Sequence, residues 1–450
     1  MSASTTRIKT PEGGLSGPPK SGLEKPAAVG ATILSDVADL IMGQSPPSST
    51  YNDGGEGLPF FQGKTDFGFR HPVARLFCNA PVKIAQSDDI LMSVRAPVGP
   101  TNIADRECCI GRGLAAIRPR NIDGDFLFFN LLYIEKFIAS LGSGSTFHAI
   151  NKSQLASVEV NPHKFGLPDQ RKIAAVLGLV QRAIEQQEHL QALTAELKKT
   201  LLHQLFTQGL RGEPQKQTEI GPVPESWDVV KLSDAFDTQL GKMLSQKAHA
   251  GQAPKPYLRN KNVQWGRIDV TDILKMDFNE REKAKFRLHP GDLLICEGGE
   301  PGRAALWNGD LTECYYQKAL HRLRPKDERA SNGFLAYWLM FALKLQNLYG
   351  VAGASSTIAH LPEVQLKALP IPRPSRSEQD EICRVIEAAD KKYSVIERKY
   401  VALTALFRTL LHQLMTAQIR VHAFDLPELE TATQGETHGH PTLHRHPAPD

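Results

Sequence analysis

Residues 379–414 read QDEICRVIEAADKKYSVIERKYVALTALFRTLLHQL, and their spacing decides the fold. Ile382, Ile386, Ala389, Tyr393, Ile396, Tyr400, Leu403, Phe407, Leu410 and Leu414 follow one another at alternating steps of four and three. That is the heptad seam of a coiled coil, and neither Pro nor Gly interrupts it. A second copy runs upstream through residues 170–206, with Ile173, Leu177, Val180, Ile184, Leu197, Leu201 and Leu205 on its apolar side. Both copies end in the hexapeptide TLLHQL, at residues 200–205 and again at 409–414. A spacing of about two hundred residues is far longer than a solenoid repeat. A whole unit, domain plus helix, has been written twice.

The sequence upstream of each helix repeats the same itinerary. Asp292-Leu293-Leu294-Ile295 matches residues 89–92, and residues 320–325 match 114–119, both ending in Arg-Pro. Residues 89–95 and 113–119 read as buried strands, and a helix is expected over residues 125–141. Phe334-Leu335 opens a helix as Phe126-Leu127 does, and residues 354–357 stand where 144–146 stand. These markers divide the chain into a flexible tail (1–30), a first domain (31–167), a first long helix (168–209) and a linker (210–225). A second domain (226–376), a second long helix (377–418) and a His-bearing tail (419–450) follow. Each helix of ~40 residues would span roughly 60 Å and, alone, would leave an apolar seam in water. The two are therefore expected to pair within the chain as an antiparallel coiled coil. The resulting fold is α+β and pseudo-two-fold, with two similar heads on a strut. Homodimerisation, or packing of each helix on its own domain, is the alternative.

Composition narrows the class. At 450 residues the chain can bury two or three cores, and a net charge of +4 permits a polyanion partner without requiring one. The six cysteines (Cys78, Cys108, Cys109, Cys296, Cys314, Cys383) form no C-x-x-C, which fits reduced thiols in a cytosol better than disulfides or zinc. No secretory signal stands in residues 1–30. The most apolar run, residues 334–343, is about half the ~20 residues of a membrane span. A cytoplasmic protein is expected. His438, His440, His444 and His446 lie in a Pro/Thr/Glu-rich tail expected to carry no functional metal site.

Several catalytic look-alikes fail on context. Gly111-Arg112-Gly113-Leu114-Ala115-Ala116 fits G-x-G-x-x-A but leads into a strand, not a helix N-terminus. Residues 14–21 resemble a broken phosphate loop in a segment expected to be unstructured. Asn161-Pro162-His163-Lys164 lacks the second proline and the aromatic of an amino-methyltransferase motif. Glu297 and Glu300 near Asp292 have no counterpart in the first half. No nucleophile, base and orienting group come together, so no catalytic residue and no metal site are assigned.

What recurs is a polar, basic set in loops. In the second half it comprises Lys242, Arg259, Asn260, Lys261, Asn262, Gln264, Arg267, Arg303 and Lys318; in the first, Gln44, Ser45, Gln62, Lys64, Arg70, Arg95 and Arg112. Arg and Lys suit guanine edges and phosphates, while Asn and Gln suit adenine edges. Duplex DNA is the economical partner for a duplicated molecule carrying such loops, one half-site to each head.

The segments GLPFFQGK (57–64), YLRNKNVQ (257–264), GDLL (291–294) and GPVPESW (221–227), with both LLHQL-bearing helices, resemble the specificity subunits of type I restriction–modification systems. The likeness covers residues 31–418 and includes repeat order. It implies two target recognition domains, each contacting half of a split DNA site, with the paired helices as spacer. It further implies two modification subunits that bind S-adenosylmethionine and methylate adenine, and a motor-nuclease subunit using ATP and Mg. No cofactor is expected on this chain. One departure is that Trp227 opens the second domain where the first has Val29. Two other classes compete: a stand-alone DNA-cleaving enzyme using Glu297 or Asp292, and a coiled-coil adaptor that binds only proteins.

Overall fold

The computed structural model describes residues 32–142, 149–160, 165–244, 253–349 and 360–421. Residues 1–31, Val29 among them, residues 144–146 and 354–357, the motif at 161–164 and residues 422–450 with the four C-terminal histidines lie outside the described residues, while Val421 of the expected tail is buried in the first unit's core. Two compact units emerge, Met1–His189 with Arg398–Asp450, and Leu190–Glu397. The unit boundaries fall inside both long helices, Leu167–Gln208 and Arg376–Met415.

Each unit holds a four-stranded antiparallel sheet of the same order. In the first it runs Ala38–Met42, Leu114–Pro119, Ile90–Ser93, Thr101–Ile103; in the second, Phe236–Leu240, Leu320–Pro325, Leu293–Cys296, Ala304–Leu306. The central strands Ile90–Ser93 and Leu293–Cys296 are nearly continuous apolar runs because both faces are covered, whereas the neighbouring Leu320–Pro325 also carries His321, Arg322 and Arg324. Successive side chains point to opposite faces. Accordingly Ile90, Met92 and Ile117 enter the core that includes helix Gly124–Tyr133, while Leu91, Leu114 and Ala116 join another beside Phe61 and Ile110. The second unit divides the same way, Leu293, Ile295 and Leu323 on one side, Leu294, Cys296 and Leu320 on the other. Each unit adds one parallel pair, Phe60-Phe61 beside Cys109-Ile110 and Tyr257-Leu258 beside Tyr315-Tyr316.

A buried ion pair recurs with the sheets. Asp89, 1% exposed, receives two bonds from Arg118 and one from the Gln86 amide; Asp292, 3% exposed, receives the equivalent set from Arg324 and the His289 amide. Each carboxylate thus ties the start of one central strand to its neighbour.

The helices are shared in an antiparallel sense. In the first unit Ile173, Leu177 and Ile184 share a core with Phe407, Leu411 and Leu414. In the second, Leu202, Leu205 and Phe206 share one with Ile382 and Ile386. The beginning of one helix therefore meets the end of the other within each unit. All ten seam positions of the second long helix are buried or half-buried. The first helix needs one correction: Leu197 is 52% exposed. The three-four stepping continues instead through Gln187, Gln191, Thr194 and Lys198 to Leu201, a polar stretch in which Gln187 and Thr194 are buried. Lys198 is ion-paired with Asp390, whose second oxygen accepts from the Tyr337 hydroxyl at 3.1 Å.

Two elements differ from the sequence reading, and a third adds a detail to it. Residues 210–225 are not a plain linker but carry the hairpin Gln215–Thr218 with Gly221–Pro224. The helix expected over 125–141 breaks at Ile134 into Gly124–Tyr133 and Glu135–Ser140. The apolar run at 334–343 starts as helix Asn332–Leu339 and widens into a π-helix, Met340–Leu345.

One asymmetry is testable. His321 is fully buried in the second sheet, its Nε2–H donating to the Leu361 carbonyl at 3.1 Å, where the first unit has Ala115 at the same register. Burial lowers its pKa from the ordinary 6.5, so the ring stays neutral. The unfolded chain then binds the proton first. Stability of the second unit should fall as pH drops below about 6.5, by at most roughly 1.4 kcal/mol per pH unit. Urea melts across that range should show the loss, and His321→Leu should flatten it.

Candidate nucleic-acid interface

The loops at one end of each sheet are locked together by main-chain hydrogen bonds that correspond between the units. Gly43 donates to the Leu114 carbonyl (2.9 Å) and Gln44 to Ile110 (3.1 Å); Gly241 donates to Leu320 (3.0 Å) and Lys242 to Tyr316 (3.1 Å). Gly111 donates to Phe61 (2.8 Å) and Leu114 to Gly111 (3.0 Å); Gln317 donates to Leu258 (3.1 Å) and Leu320 to Gln317 (3.0 Å). Val94 donates to Gly113 and Glu297 to Ala319, both at 2.9 Å. These bonds align Gln44 with Lys242, Gln62 with Arg259, Arg112 with Lys318 and Arg95 with Gly298. The backbones pass too close for side chains: a Cβ on Gly43 would lie 2.2 Å from the Gly111 carbonyl oxygen, and one on Gly241 would lie 2.3 Å from that of Gln317. Glycine at these two places is dictated by the crossing itself.

In the first unit the junction brings Gln44, Ser45, Gln62 and Arg112 together, with Arg95 one residue beyond Val94 and Lys64 three beyond Phe61. All six are exposed. Arg70, also a sequence candidate, is elsewhere: it pairs with Asp125, donates to Gln181 at 2.7 Å and lies over the Phe128 and Phe129 rings. It fastens a loop to two helices.

In the second unit most candidate cations are already partnered. Lys242, with 13% of its side chain exposed, binds Glu282 and the Asp277 carbonyl, both at 2.6 Å, above the Phe278 ring. Arg259 and Lys261 share Asp272 at 2.9 and 2.8 Å. Arg303 is held by Glu300 and the Asn260 carbonyl, and Asn260 itself donates to Gly298. Asn262 is 1% exposed and serves the loop, accepting from the Arg259 amide and donating to the carbonyls of Asp269 and Asp272. Gln264 donates to the Lys261 carbonyl. Arg267, whose charge acts on the nearby Asp269, and Lys318 are exposed, and neither side chain makes a hydrogen bond or ion pair among the described residues. A run of Arg, Asn and Lys could not reveal which members are fixed internally, because the acids that hold them come from other loops.

The same geometry bears on catalysis. Asp292 is committed to Arg324, and Glu300 to Arg303 and the Trp265 indole, so neither stands ready as the acid of a cleavage site. Among the described residues no three His, Cys, Asp or Glu side chains group to hold a metal, and no helix is long and apolar enough to cross a membrane. All six cysteines are free and buried. Burial pushes Cys109 and Cys296 up to about 11, and Cys108, Cys314 and Cys383 to about 12. Because all six are buried and the five raised thiols hold little of the reactive thiolate, a thiol reagent at neutral pH should label none of the six in the native protein and all of them in denaturant. Rapid labelling before unfolding would contradict this burial.

The family profile of the type I restriction modification DNA specificity domain matches residues 32–195 and 224–405. The putative type I restriction enzyme MjaX specificity subunit of Methanocaldococcus jannaschii is 43% identical over 174 residues, 38% of this chain and 40% of that one. The MjaIX specificity subunit of the same organism is 28% identical over 369 residues, 75% of this chain and 82% of the relative. The crystal structure of a type I restriction-modification system S subunit from M. genitalium shares the fold, with a TM-score of 0.59 at 16% identity over 88% of this chain and 98% of that one. With two copies of the domain matched and two copies of one sheet and one loop junction built, the chain belongs to the type I restriction–modification DNA specificity family.

Proposed function

We propose that this chain is the DNA-recognition subunit of a type I restriction–modification complex, each unit reading one half of a bipartite duplex site. The observation that carries the reading is the loop junction built twice by corresponding main-chain bonds, with an exposed cation at the same place in both. A cation on a fixed turn suits a phosphate, and neighbouring amides suit base edges. Methyl transfer to adenine, and any cleavage, falls to partner subunits: two modification subunits carrying S-adenosylmethionine, with a motor-nuclease using ATP and Mg where one is present. The setting is the cytoplasm, where such partners and DNA meet.

The test is to purify the full-length chain alone and with the subunits that co-purify with it. Alone it should transfer no labelled methyl group to DNA and cut none. With its partners it should modify adenines at one split sequence, recognised by mapping modified bases in cells. Methyl transfer or metal-dependent cutting by the isolated chain would overturn the assignment, as would a complex showing no affinity for duplex at low salt.

A further inference from the structure

Duplication supplies two readers of one build that face different half-sites, provided the DNA-recognition reading holds. Side chains that touch the DNA backbone do the same work in both units, whereas side chains that read bases need not. Of the three side-chain positions aligned by the junction's main-chain bonds, only one keeps its chemistry. Arg112 and Lys318 each occupy the second residue of the turn that closes Gly111 to Leu114 and Gln317 to Leu320. Both are exposed cations without a side-chain partner among the described residues.

The other two positions change type. Gln44 becomes Lys242 and Gln62 becomes Arg259, and the second unit spends both cations on its own carboxylates, Glu282 and Asp272. Lys242 could reach DNA only by breaking two 2.6 Å bonds in a largely enclosed site. In the first unit the two glutamines stay exposed beside Arg112, and a primary amide carries the donor and acceptor that match an adenine edge.

We infer that Arg112 and Lys318 are the phosphate contacts common to both units, and that Gln44 and Gln62 are specificity-determining in the first unit alone. The equivalents Lys242 and Arg259 are positioning residues that hold the second unit's loops.

The experiment uses the full-length chain with its co-purifying subunits. A random-sequence duplex library first yields the sequence preferred by the wild type. Binding to that duplex and to a scrambled one is then followed against salt for Arg112→Ala, Lys318→Ala, Gln44→Ala and Gln62→Ala. Arg112→Ala and Lys318→Ala should each reduce the slope of log affinity against log salt by about one and weaken both duplexes alike. Gln44→Ala and Gln62→Ala should leave the slope unchanged and lower discrimination at a base pair of one half-site only, by roughly 5- to 150-fold. A change of base preference in either cation variant, or an unchanged slope, overturns the phosphate assignment. Equal weakening of both duplexes by the glutamine variants overturns theirs. If the wild type selects no sequence at all, the recognition reading itself fails and this inference with it.

Discussion

Phe407→Ala is expected to destabilise the first unit by about 3–5 kcal/mol, the cost of emptying a fully enclosed aromatic site. Phe407 is 0% exposed and stands 6.0 Å from the Phe129 ring, centroid to centroid, although it lies near the end of the last helix. Phe206→Ala is the counterpart in the second unit, where the ring meets Phe334, Trp338 and Phe341 at 5.3–5.4 Å. The chain's four tryptophans, Trp227, Trp265, Trp307 and Trp338, all fall in the second unit. Urea unfolding followed by tryptophan fluorescence therefore reports that unit, while far-ultraviolet circular dichroism reports both. Phe206→Ala should move the fluorescence midpoint strongly; Phe407→Ala should move the dichroism midpoint and leave fluorescence behind. Equal shifts in fluorescence from the two variants would mean that the helix halves are not divided between the units as described.

Asp292→Ala should cost about 2–4 kcal/mol, and Asp89→Ala a similar amount in the first unit. Each removes a carboxylate that joins two central strands and caps the amide of the residue three before it. Each also leaves a guanidinium without its partner; Arg118 and Arg324 are held above their ordinary pKa chiefly by these hydrogen bonds. The charge pair is not required for the fold in itself. A double replacement, Asp292→Leu with Arg324→Met, should recover much of the loss, since a buried pair seldom outperforms apolar groups of similar volume. Urea midpoints measure all three. A loss below about 1 kcal/mol for Asp292→Ala would place the pair among solvent-screened surface contacts.

The heptad of the second long helix was legible because all ten seam residues are apolar or aromatic, and helical periodicity shows through any tertiary context. Strands around Ile90 and Leu293 were legible for a similar reason: a run buried on both faces has to be apolar throughout. The first long helix was harder. Its seam passes through Gln187, Gln191, Thr194 and Lys198, and a search for apolar residues steps to Leu197, one place out of phase. Polar residues can occupy a seam when a partner meets them, as Asp390 meets Lys198, and that partner lies almost two hundred residues away.

By itself the sequence determined the duplication, the two long helices and the paired apolar strands around Ile90 and Leu293, all of which rest on spacing along the chain. Only the tertiary structure decided which cations of the second unit are free and that Arg70 is a structural brace. It also decided that Gln44, Gln62 and Arg112 share a surface. The physical reason is that a side chain's availability depends on the charges facing it. Glu282, Asp272 and Asp125 reach their partners across loops brought together by folding, leaving no periodic trace in the residues they neutralise.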